Sequence, residues 1–306
     1  MGNPVKMVFW RALMQISALC FAVGIAVGRF AHIRISRALF KPRPDDIFIA
    51  TYPKSGTTLM QMILHQLKTD GQVDFAHINN VSPYLELEFQ QSQGRFLDRF
   101  ESPRVFKTHL TADVLPVETG RYIYILRDAR DVAVSAFHHT RLMGGMERTL
   151  EEFTENFLSS KKSTQRAILG AGTVSWFEHL ESWWPHRNRP NVLCLSYETM
   201  IVDLEGTVRK VADFCGFPLR EEDMPRILAN CSLAAMKQHE EKFDPRFQFS
   251  QPGSQGFIRQ GKAGSGREHT PRHQQIFEQR LTELAEKLGC PASNPYEEIR
   301  TALDKS

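Results

Sequence analysis

Residues 51–67, TYPKSGTTLMQMILHQL, place a lysine, a glycine and several hydroxyl groups in one short turn. Lys54 supplies a full positive charge, and Ser55, Thr57 and Thr58 can donate hydrogen bonds. A glycine-bearing turn before a helix also presents unpaired backbone N–H groups, and the helix N-terminus adds partial positive charge. The stretch therefore predicts a site for a phosphate-like anion. A plain strand-to-helix turn with an exposed lysine is the alternative.

The turn differs from the nucleoside-triphosphate loop G-x-x-x-x-G-K-[ST]. Lys54 precedes Gly56 instead of following a glycine, and the loop is shorter. ATP with magnesium is therefore not the first expectation for the anion.

Strands and helices alternate along the chain. Apolar, β-branched runs predict strands at 46–52, 104–109, 121–126 and 192–197. Helical patterns lie at 57–67, 130–143, 175–186, 204–217 and 273–289, and residues 251–273, rich in glycine and basic residues, predict a long surface loop. This order indicates an α/β fold, a single P-loop-like domain with a central parallel sheet flanked by helices. Binding sites in such sheets collect beyond the carboxyl ends of the strands.

Composition sets limits on partners and metals. The 306 residues are 42% apolar and carry a net charge of +3, which is too small to indicate a nucleic-acid-binding surface. The five cysteines are widely spread and include no C-x-x-C pair. This usage fits a reducing compartment and predicts neither a disulfide framework nor a metal site.

The first 44 residues contain no aspartate or glutamate, and residues 12–28 form an uncharged, mainly apolar stretch. We expect residues 1–44 to be a separate leader and residues 45–306 to be the functional domain. The stretch is at the short limit for crossing a bilayer. A membrane anchor, a helix docked on the domain or lying at a membrane surface, and a cleaved signal or transit peptide are all compatible with it. If it spans a membrane, the basic residues that follow it predict a cytoplasmic domain.

Five motifs occur in a fixed order: YPKSGTT (52–58), KTHL (107–110), RDARDVAVSAFHH (127–139), SYETM (196–200) and RQGKAG (259–264). Together they resemble the cytosolic-type sulfotransferases over about residues 45–292. The resemblance implies one α/β sulfotransferase domain, with 3′-phosphoadenosine 5′-phosphosulfate (PAPS) as co-substrate and no metal. The implied partner is a small acceptor, namely an alcohol, phenol, amine or lipid-like molecule, and not nucleic acid.

The resemblance also implies a role for three residues in catalysis. Lys54 would contact the oxygen between phosphate and sulfate, and Lys107 would hold the transferring group. His109 would be the general base, because the acceptor must lose a proton as it attacks and an imidazole suits that task near neutral pH. His109 follows Lys107 by two residues, which puts both on one face of a strand.

Donor contacts follow from the same resemblance. Arg127 and Ser135 would bind the 3′-phosphate, and Arg259 would cover it from the basic loop. Tyr197 would lie on the adenine side, and Ser232 would offer a hydroxyl to the nucleotide. The full predicted set for the donor is Lys54, Ser55, Gly56, Thr57, Thr58, Arg127, Ser135, Tyr197, Ser232, Arg259, Gln260 and Gly261. We interpret Arg130 and Asp131 as a pair on the helix surface, outside this set.

The chain departs from its relatives at positions that flank the adenine and in the basic loop. Leu59 and Leu233 stand where the family usually has two aromatic residues that clamp the base, and Gln260 replaces a lysine. Aliphatic side chains predict a repacked base pocket with weaker stacking. The sequence GSGR at 264–267 blurs the family's dimerisation motif and leaves a homodimer undecided.

The acceptor pocket is expected near Tyr84 and residues 137–146, whose aromatic and apolar character favours a hydrophobic acceptor. We interpret His138 and His139 as wall or surface residues. Two other functions are weighed against sulfuryl transfer: a P-loop kinase-like phosphotransferase and a non-catalytic nucleotide-binding protein.

Overall fold

The structure, a computed structural model, describes residues 40–72, 75–92, 97–115, 117–143, 149–159, 174–245, 256–290 and 293–306. These residues divide into two compact units. The larger contains Pro42–Leu85 and Phe100–Ser306, and the smaller contains the described parts of Met1–Lys41 and Glu86–Arg99. The predicted leader segment 12–28 lies outside the described residues.

Four parallel strands form the sheet of the larger unit: β1 (Ile47–Thr51), β2 (Val105–Thr108), β3 (Arg121–Leu126) and β4 (Val192–Ser196). Their order in the sheet is β2-β1-β3-β4. The chain therefore leaves β1 in one direction to form β2 and then crosses back over β1 to form β3. This reversal makes the carboxyl ends of β1 and β3 the topological switch point, where ligands bind in open α/β sheets.

Eleven helices are found in the part of the chain that the structure describes. They are α1 (Thr57–Lys68), α2 (Leu85–Ser92), α3 (Ala129–Leu142), α4 (Leu150–Leu158), α5 (Trp176–Trp183), α6 (Tyr197–Val202), α7 (Leu204–Cys215), α8 (Met224–Cys231), α9 (Leu233–Gln238), α10 (Pro271–Leu288) and α11 (Pro295–Asp304). Short 3₁₀ turns lie at Ile78–Asn80, Leu97–Arg99, Trp184–His186, Glu221–Asp223, Glu240–Lys242 and Ser265–Glu268.

The two faces of the sheet bury different side chains. Because successive residues of a strand point to opposite faces, Ile47 and Ile49 join an aliphatic core with α1 and α7. Phe48 points the other way and stacks on Tyr122, with ring centroids 4.7 Å apart. Trp183 of α5 packs over this aromatic layer, 5.7 Å from the Tyr122 ring. Both faces are covered, which is why the strands read as continuous apolar runs.

The predicted α/β class is confirmed, and the predicted elements differ from the structure mainly at their ends. Strand β4 ends at Ser196, whose hydroxyl accepts from the Thr199 N–H and caps α6, so Tyr197 is helical and does not end the strand. Helix α10 begins at Pro271, inside the predicted loop at 251–273, because Thr270 caps it and proline favours the first helical position.

Within the described ranges, the structure contains no helix that is both long and apolar enough to span a bilayer.

A buried ion pair joins the amino ends of β1 and β2. The Arg104 guanidinium donates to Asp46 through Nε at 2.7 Å and through Nη2 at 2.6 Å. The Arg43 N–H also donates to Asp46 at 2.7 Å. Both ionic side chains are fully buried. Burial of two charges is tolerable here because the bidentate geometry satisfies both partners.

We expect Asp46→Ala to lower the free energy of unfolding by about 3–5 kcal/mol, because it leaves the Arg104 charge buried and unpaired. Urea denaturation measures the change. Glu205→Ala is the matched control, since its ion pair with Arg209 is exposed and should shift the midpoint little. Equal losses in the two variants would contradict the assignment.

Candidate functional site

The turn between β1 and α1 is shaped to receive an anion. Lys54 and Gly56 both have positive φ, 70° and 101°. Helix α1 begins without a side-chain cap and without an acidic residue in its first turn, so its N–H groups can bind an anion. The buried Ser55 hydroxyl has no hydrogen-bond partner among the described residues. Thr57 is anchored to β1, with its hydroxyl 2.7 Å from that of Thr51.

Several cations converge on this turn. Burial, together with the positive charges of Arg127, Lys107 and Arg259, lowers the pKa of Lys54 to about 8. Its ammonium group lies 4.9 Å from the centre of the Phe257 ring. Mutual repulsion of this kind is relieved when a polyanion binds. The structure therefore brings together the four cations that the sequence predicts for one site.

Arg127 connects the switch point to the loop that follows Gly256. Its guanidinium donates to the Lys54 carbonyl at 2.9 Å and to the Lys262 carbonyl at 3.2 Å. It also lies 4.3 Å from the centre of the Tyr197 ring. Its buried Nε has no partner among the described residues. A guanidinium held at two corners with one N–H unused is well placed to bind an anion.

Tyr197 packs directly on the turn. A Cβ atom added at Gly56 would lie 2.7 Å from Cδ2 of this ring, closer than atoms tolerate. Gly56 is therefore required both by its positive φ and by the approach of Tyr197. The ring fills the space between the turn and the Arg127 guanidinium, and burial raises the pKa of its hydroxyl.

Lys107 and His109 lie against one aromatic side chain. The Lys107 ammonium is 4.9 Å from the centre of the Tyr84 ring, and the His109 ring is 5.3 Å from it. Strand β2 ends at Thr108, so His109 lies just beyond the strand instead of on it. Their shared contact with Tyr84 nevertheless confirms that the two side chains face the same side.

The His109 ring is held in one tautomer. Its Nδ1 lies 2.8 Å from the carbonyl oxygen of Thr51, which can only accept, so Nδ1 carries the proton. Nε2 is then the acceptor nitrogen of the ring. Burial lowers the pKa of His109 to about 3, and the Lys107 charge acts in the same direction. The ring is therefore neutral at physiological pH, the form that a general base needs.

Helix α5 holds the loops that carry these residues. The Trp183 indole N–H donates to the Leu110 carbonyl at 3.2 Å, and the Trp176 indole N–H donates to the Arg127 carbonyl at 3.0 Å. His179, between them on the helix, is fully buried and stacks on Tyr124 with centroids 5.8 Å apart. Burial lowers its pKa to about 3. The helix thus fixes the chain just after β2 and just after β3.

Asp131 is a functional-site residue that sequence reasoning misses. We predicted a surface pair with Arg130, but the Asp131 side chain is buried, and Arg130 instead pairs with Asp128 at 2.6 Å. The Asp131 carboxylate accepts from the N–H groups of Gly264 at 2.8 Å and Gly266 at 2.6 Å. Asp131 follows Arg127 by four residues, a spacing that indicates an ion pair between them on a helix, and the structure has this pair at 3.8 Å.

The other predicted donor residues lie on α3, at the start of α9 and in the basic loop. Ser135 lies one helical turn after Asp131 on α3, and therefore on the same face. Arg259 is three-quarters buried and lies 3.8 Å from Glu268. Ser232 caps α9 by accepting from the Ala235 N–H at 3.2 Å, which leaves its own hydroxyl proton available to a ligand. Gln260 is exposed.

The two leucines at the expected base pocket lie in different surroundings. Leu59 packs against the aliphatic core, and Leu233 is 37% exposed. Gly261, with φ of 58°, lies against Leu233, and a Cβ atom there would approach its Cδ1 to 2.7 Å. This contact joins α9 to the basic loop through aliphatic atoms.

The expected acceptor side is partly aromatic. Tyr84 is half-buried, and Phe137 is buried against Phe153 with ring centroids 5.8 Å apart. His138 is exposed, as predicted, and His139 is half-buried, 5.9 Å from Phe257. Residues 144–146 of the expected pocket lie outside the described part of the chain.

The parallel sheet carries a cationic turn at its switch point, with Arg127 and the neutral His109 beside it. This arrangement is typical of an enzyme that transfers a group from a nucleotide. Comparison with known proteins narrows the class. The model of the family described as "Sulfotransferase domain" matches residues 44–289. The chain is 30% identical to Sulfotransferase 1C2 of Rattus norvegicus over 79% of this chain and 85% of that protein. It is 34% identical to Sulfotransferase 1E1 of Homo sapiens over 65% of this chain and 69% of that protein.

Solved structures share the fold. A retinol dehydratase in complex with androsterone and the inactive cofactor PAP has a TM-score of 0.71 at 23% identity, over 87% of this chain and 88% of that chain. The mouse sulfotransferase SULT7A1 complexed with PAP has a TM-score of 0.67 at 25% identity, over 89% of this chain and 94% of that chain.

The chain belongs to the sulfotransferase domain family. It is an enzyme that transfers a sulfuryl group from PAPS, as the ordered motifs predict. This membership decides against the kinase-like and non-catalytic alternatives.

We expect affinity for 3′-phosphoadenosine 5′-phosphate (PAP), the product of the donor, to fall as pH rises. Because the pKa of Lys54 is about 8 before an anion binds, Lys54 must take up a proton when the anion binds at higher pH. Affinity should fall by about tenfold per pH unit above that pKa. Isothermal titration calorimetry in buffers of different ionisation enthalpy measures both the affinity and the proton uptake.

Lys54→Arg is the matched control, because arginine stays charged throughout this range and should remove the pH dependence. Affinity for PAP that does not vary between about pH 7 and pH 9.5 in the unaltered protein would contradict the assignment.

Proposed function

We propose that His109 is the general base of sulfuryl transfer and that Lys54 and Lys107 stabilise the charge that moves during the reaction. The observation that carries this proposal is the bond from His109 Nδ1 to the Thr51 carbonyl, at 2.8 Å. That bond leaves Nε2 as the acceptor, on a ring that is neutral at physiological pH because burial lowers its pKa to about 3.

The proposed step is an in-line displacement at sulfur. The acceptor oxygen or nitrogen attacks the sulfur atom and loses its proton to His109 Nε2. The bond between sulfur and the bridging phosphate oxygen breaks, and PAP leaves with the electron pair. Lys54 offsets the negative charge on the departing oxygen, and Lys107 orients the sulfuryl oxygens. Preorganised cations in a buried site are effective here because they need no rearrangement as charge develops.

For the donor, we assign the two phosphates to different elements. The 5′ end lies in the turn formed by Ser55, Gly56, Thr57 and Thr58, where the Ser55 hydroxyl and the first N–H groups of α1 are available. The 3′-phosphate lies between Arg127, Ser135 and Arg259, with Gln260 and Gly261 beside it. The unused Nε of Arg127 supports this assignment. Tyr197 and Ser232 border the nucleoside.

For the acceptor, we propose a hydrophobic alcohol, phenol or amine. The aromatic side chains of Tyr84 and Phe137 support an apolar acceptor, and the Tyr84 ring adjoins both Lys107 and His109. Related proteins handle such molecules: one is a luciferin sulfotransferase of Photinus pyralis, and retinol dehydratase is known in complexes with retinol and with androsterone. A lipid-like alcohol fits the same chemistry.

We expect His109→Ala to lower turnover by about 10²- to 10⁴-fold while PAP affinity stays within about twofold, because only proton removal is lost. Transfer of radiolabelled sulfate from PAPS to a panel of phenols, sterols, retinoids and amines measures the first quantity. Calorimetry with PAP measures the second. The control is His239→Ala, since His239 is on the surface, about half exposed.

Near-normal turnover in His109→Ala would contradict the base assignment. Absence of transfer to every acceptor class by the unaltered protein, with PAP bound normally, would contradict the acceptor proposal but leave the donor assignment standing.

We further propose that the leader brings a cytoplasmic catalytic domain to a membrane through residues 12–28. The support is the apolar, acid-free composition of residues 1–44 and the basic residues that follow the apolar stretch. A membrane location would favour amphiphilic acceptors.

We expect full-length protein to sediment with vesicles of phosphatidylcholine and phosphatidylserine, and the chain starting at residue 45 to stay in the supernatant. In the full chain, Leu19→Asp should weaken sedimentation because it puts a charge in the apolar stretch, and Asn3→Asp is the control outside it. Equal partition of full-length and shortened protein would contradict the proposal.

A further inference from the structure

Two carboxylates fasten the loop at residues 256–268, called here the anchored loop, at its two ends. Asp131 accepts from the N–H groups of Gly264 and Gly266. Glu240 accepts from the N–H of Gly256 at 3.0 Å and from the N–H of Ile258. In each case one carboxylate binds two N–H groups that are two residues apart. Such charge-assisted bonds are shorter and stronger than bonds between neutral groups.

The residues between the two pairs of fastened N–H groups include two of the three cations of the loop. Arg259 follows Ile258 directly, and Lys262 precedes Gly264 by two residues. The Lys262 carbonyl accepts from the Arg127 guanidinium at 3.2 Å, so the middle of the anchored loop also contacts the switch point. The conformation of the two ends therefore determines where the Arg259 charge lies relative to Arg127.

The glycines of the anchored loop allow a close approach to α3. A Cβ atom at Gly266 would lie 2.5 Å from the Arg130 Cβ, a collision between two inflexible positions. Gly264 has φ of 86°, which other residues rarely adopt. The backbone can therefore reach Asp131 only because both positions lack side chains. The two glycines and the Asp131 carboxylate therefore depend on each other to hold the loop against α3.

We propose that Asp131 and Glu240 are positioning residues that hold the anchored loop in the conformation that binds the 3′-phosphate of the donor. Neither carboxylate touches the ligand. Each acts through backbone N–H groups, and Asp131 acts also through its ion pair with Arg127. The inference rests on the proposed assignment of the 3′-phosphate to Arg127 and Arg259, and it adds the residues that keep those cations in place.

Asp131→Asn and Glu240→Gln test the proposal, because each keeps the side-chain volume but loses the charge and one acceptor oxygen. We expect each to weaken PAP binding by about tenfold. Binding of AMP, which lacks the 3′-phosphate, should change by less than about twofold, since the lost interactions act on the loop and on Arg127, both of which are assigned to the 3′-phosphate. The KM for PAPS should rise with PAP Kd while kcat is retained, because His109, Lys54 and Lys107 are untouched.

Hydrogen exchange provides a readout that does not depend on turnover. Amides of Gly264 and Gly266 should exchange faster in Asp131→Asn, and those of Gly256 and Ile258 faster in Glu240→Gln. The matched control is Glu221→Gln, because Glu221 is an exposed carboxylate that pairs with Arg209 outside the loop. It should leave PAP affinity and loop exchange unchanged.

Folded variants that bind PAP as tightly as the unaltered protein would overturn the inference, and so would equal losses for PAP and AMP. Asp131 is buried, so its variant is checked by thermal melting, and the half-buried Glu240 provides an independent test if Asp131→Asn unfolds. Failure of the unaltered protein to prefer PAP over AMP is a different result, because it contradicts the 3′-phosphate assignment itself.

Discussion

Repulsion among buried cations at the end of β1 is the constraint on which the site depends. Lys54, Arg127, Lys107 and Arg259 approach one another closely enough that each of the other three lowers the Lys54 pKa. A domain keeps such an arrangement only where the surrounding structure holds the charges in place and a ligand neutralises them. The backbone contacts of Arg127 and the carboxylates that fasten the anchored loop hold that unfavourable cluster together.

Helix α5 helps to position His109, the residue that we propose as the general base. Its two indole N–H groups bind carbonyls at the ends of β2 and β3, and so fix the loops that carry His109 and Arg127. The Thr51 carbonyl then fixes the tautomer of the His109 ring. Backbone groups at Leu110 and Thr51 thus set the position and the tautomer of the ring, and burial keeps the ring neutral by lowering its pKa.

Much of this arrangement could be predicted from the sequence, and the reasons are physical. The sheet is predictable because buried parallel strands appear in the sequence as apolar runs. The K-S-G-T-T turn predicts an anion site because it combines a positive charge with several hydroxyl groups. Asp131 was not predictable as a buried residue, because its partners are backbone N–H groups more than 130 positions away in sequence. Glu240 was not predictable for a related reason, because its partners at Gly256 and Ile258 are backbone N–H groups, which leave no pattern in the sequence.

The φ of 70° at Lys54 has a consequence for how this turn can change. An L-residue with a side chain in the left-handed region is disfavoured by about 1 kcal/mol, and glycine would relieve that strain. The charge of Lys54 is also repelled by the neighbouring cations. Under the proposed role of Lys54 in sulfuryl transfer, the requirements of activity and of stability therefore conflict at this position, and a chain that no longer needed catalysis would gain stability by losing the lysine.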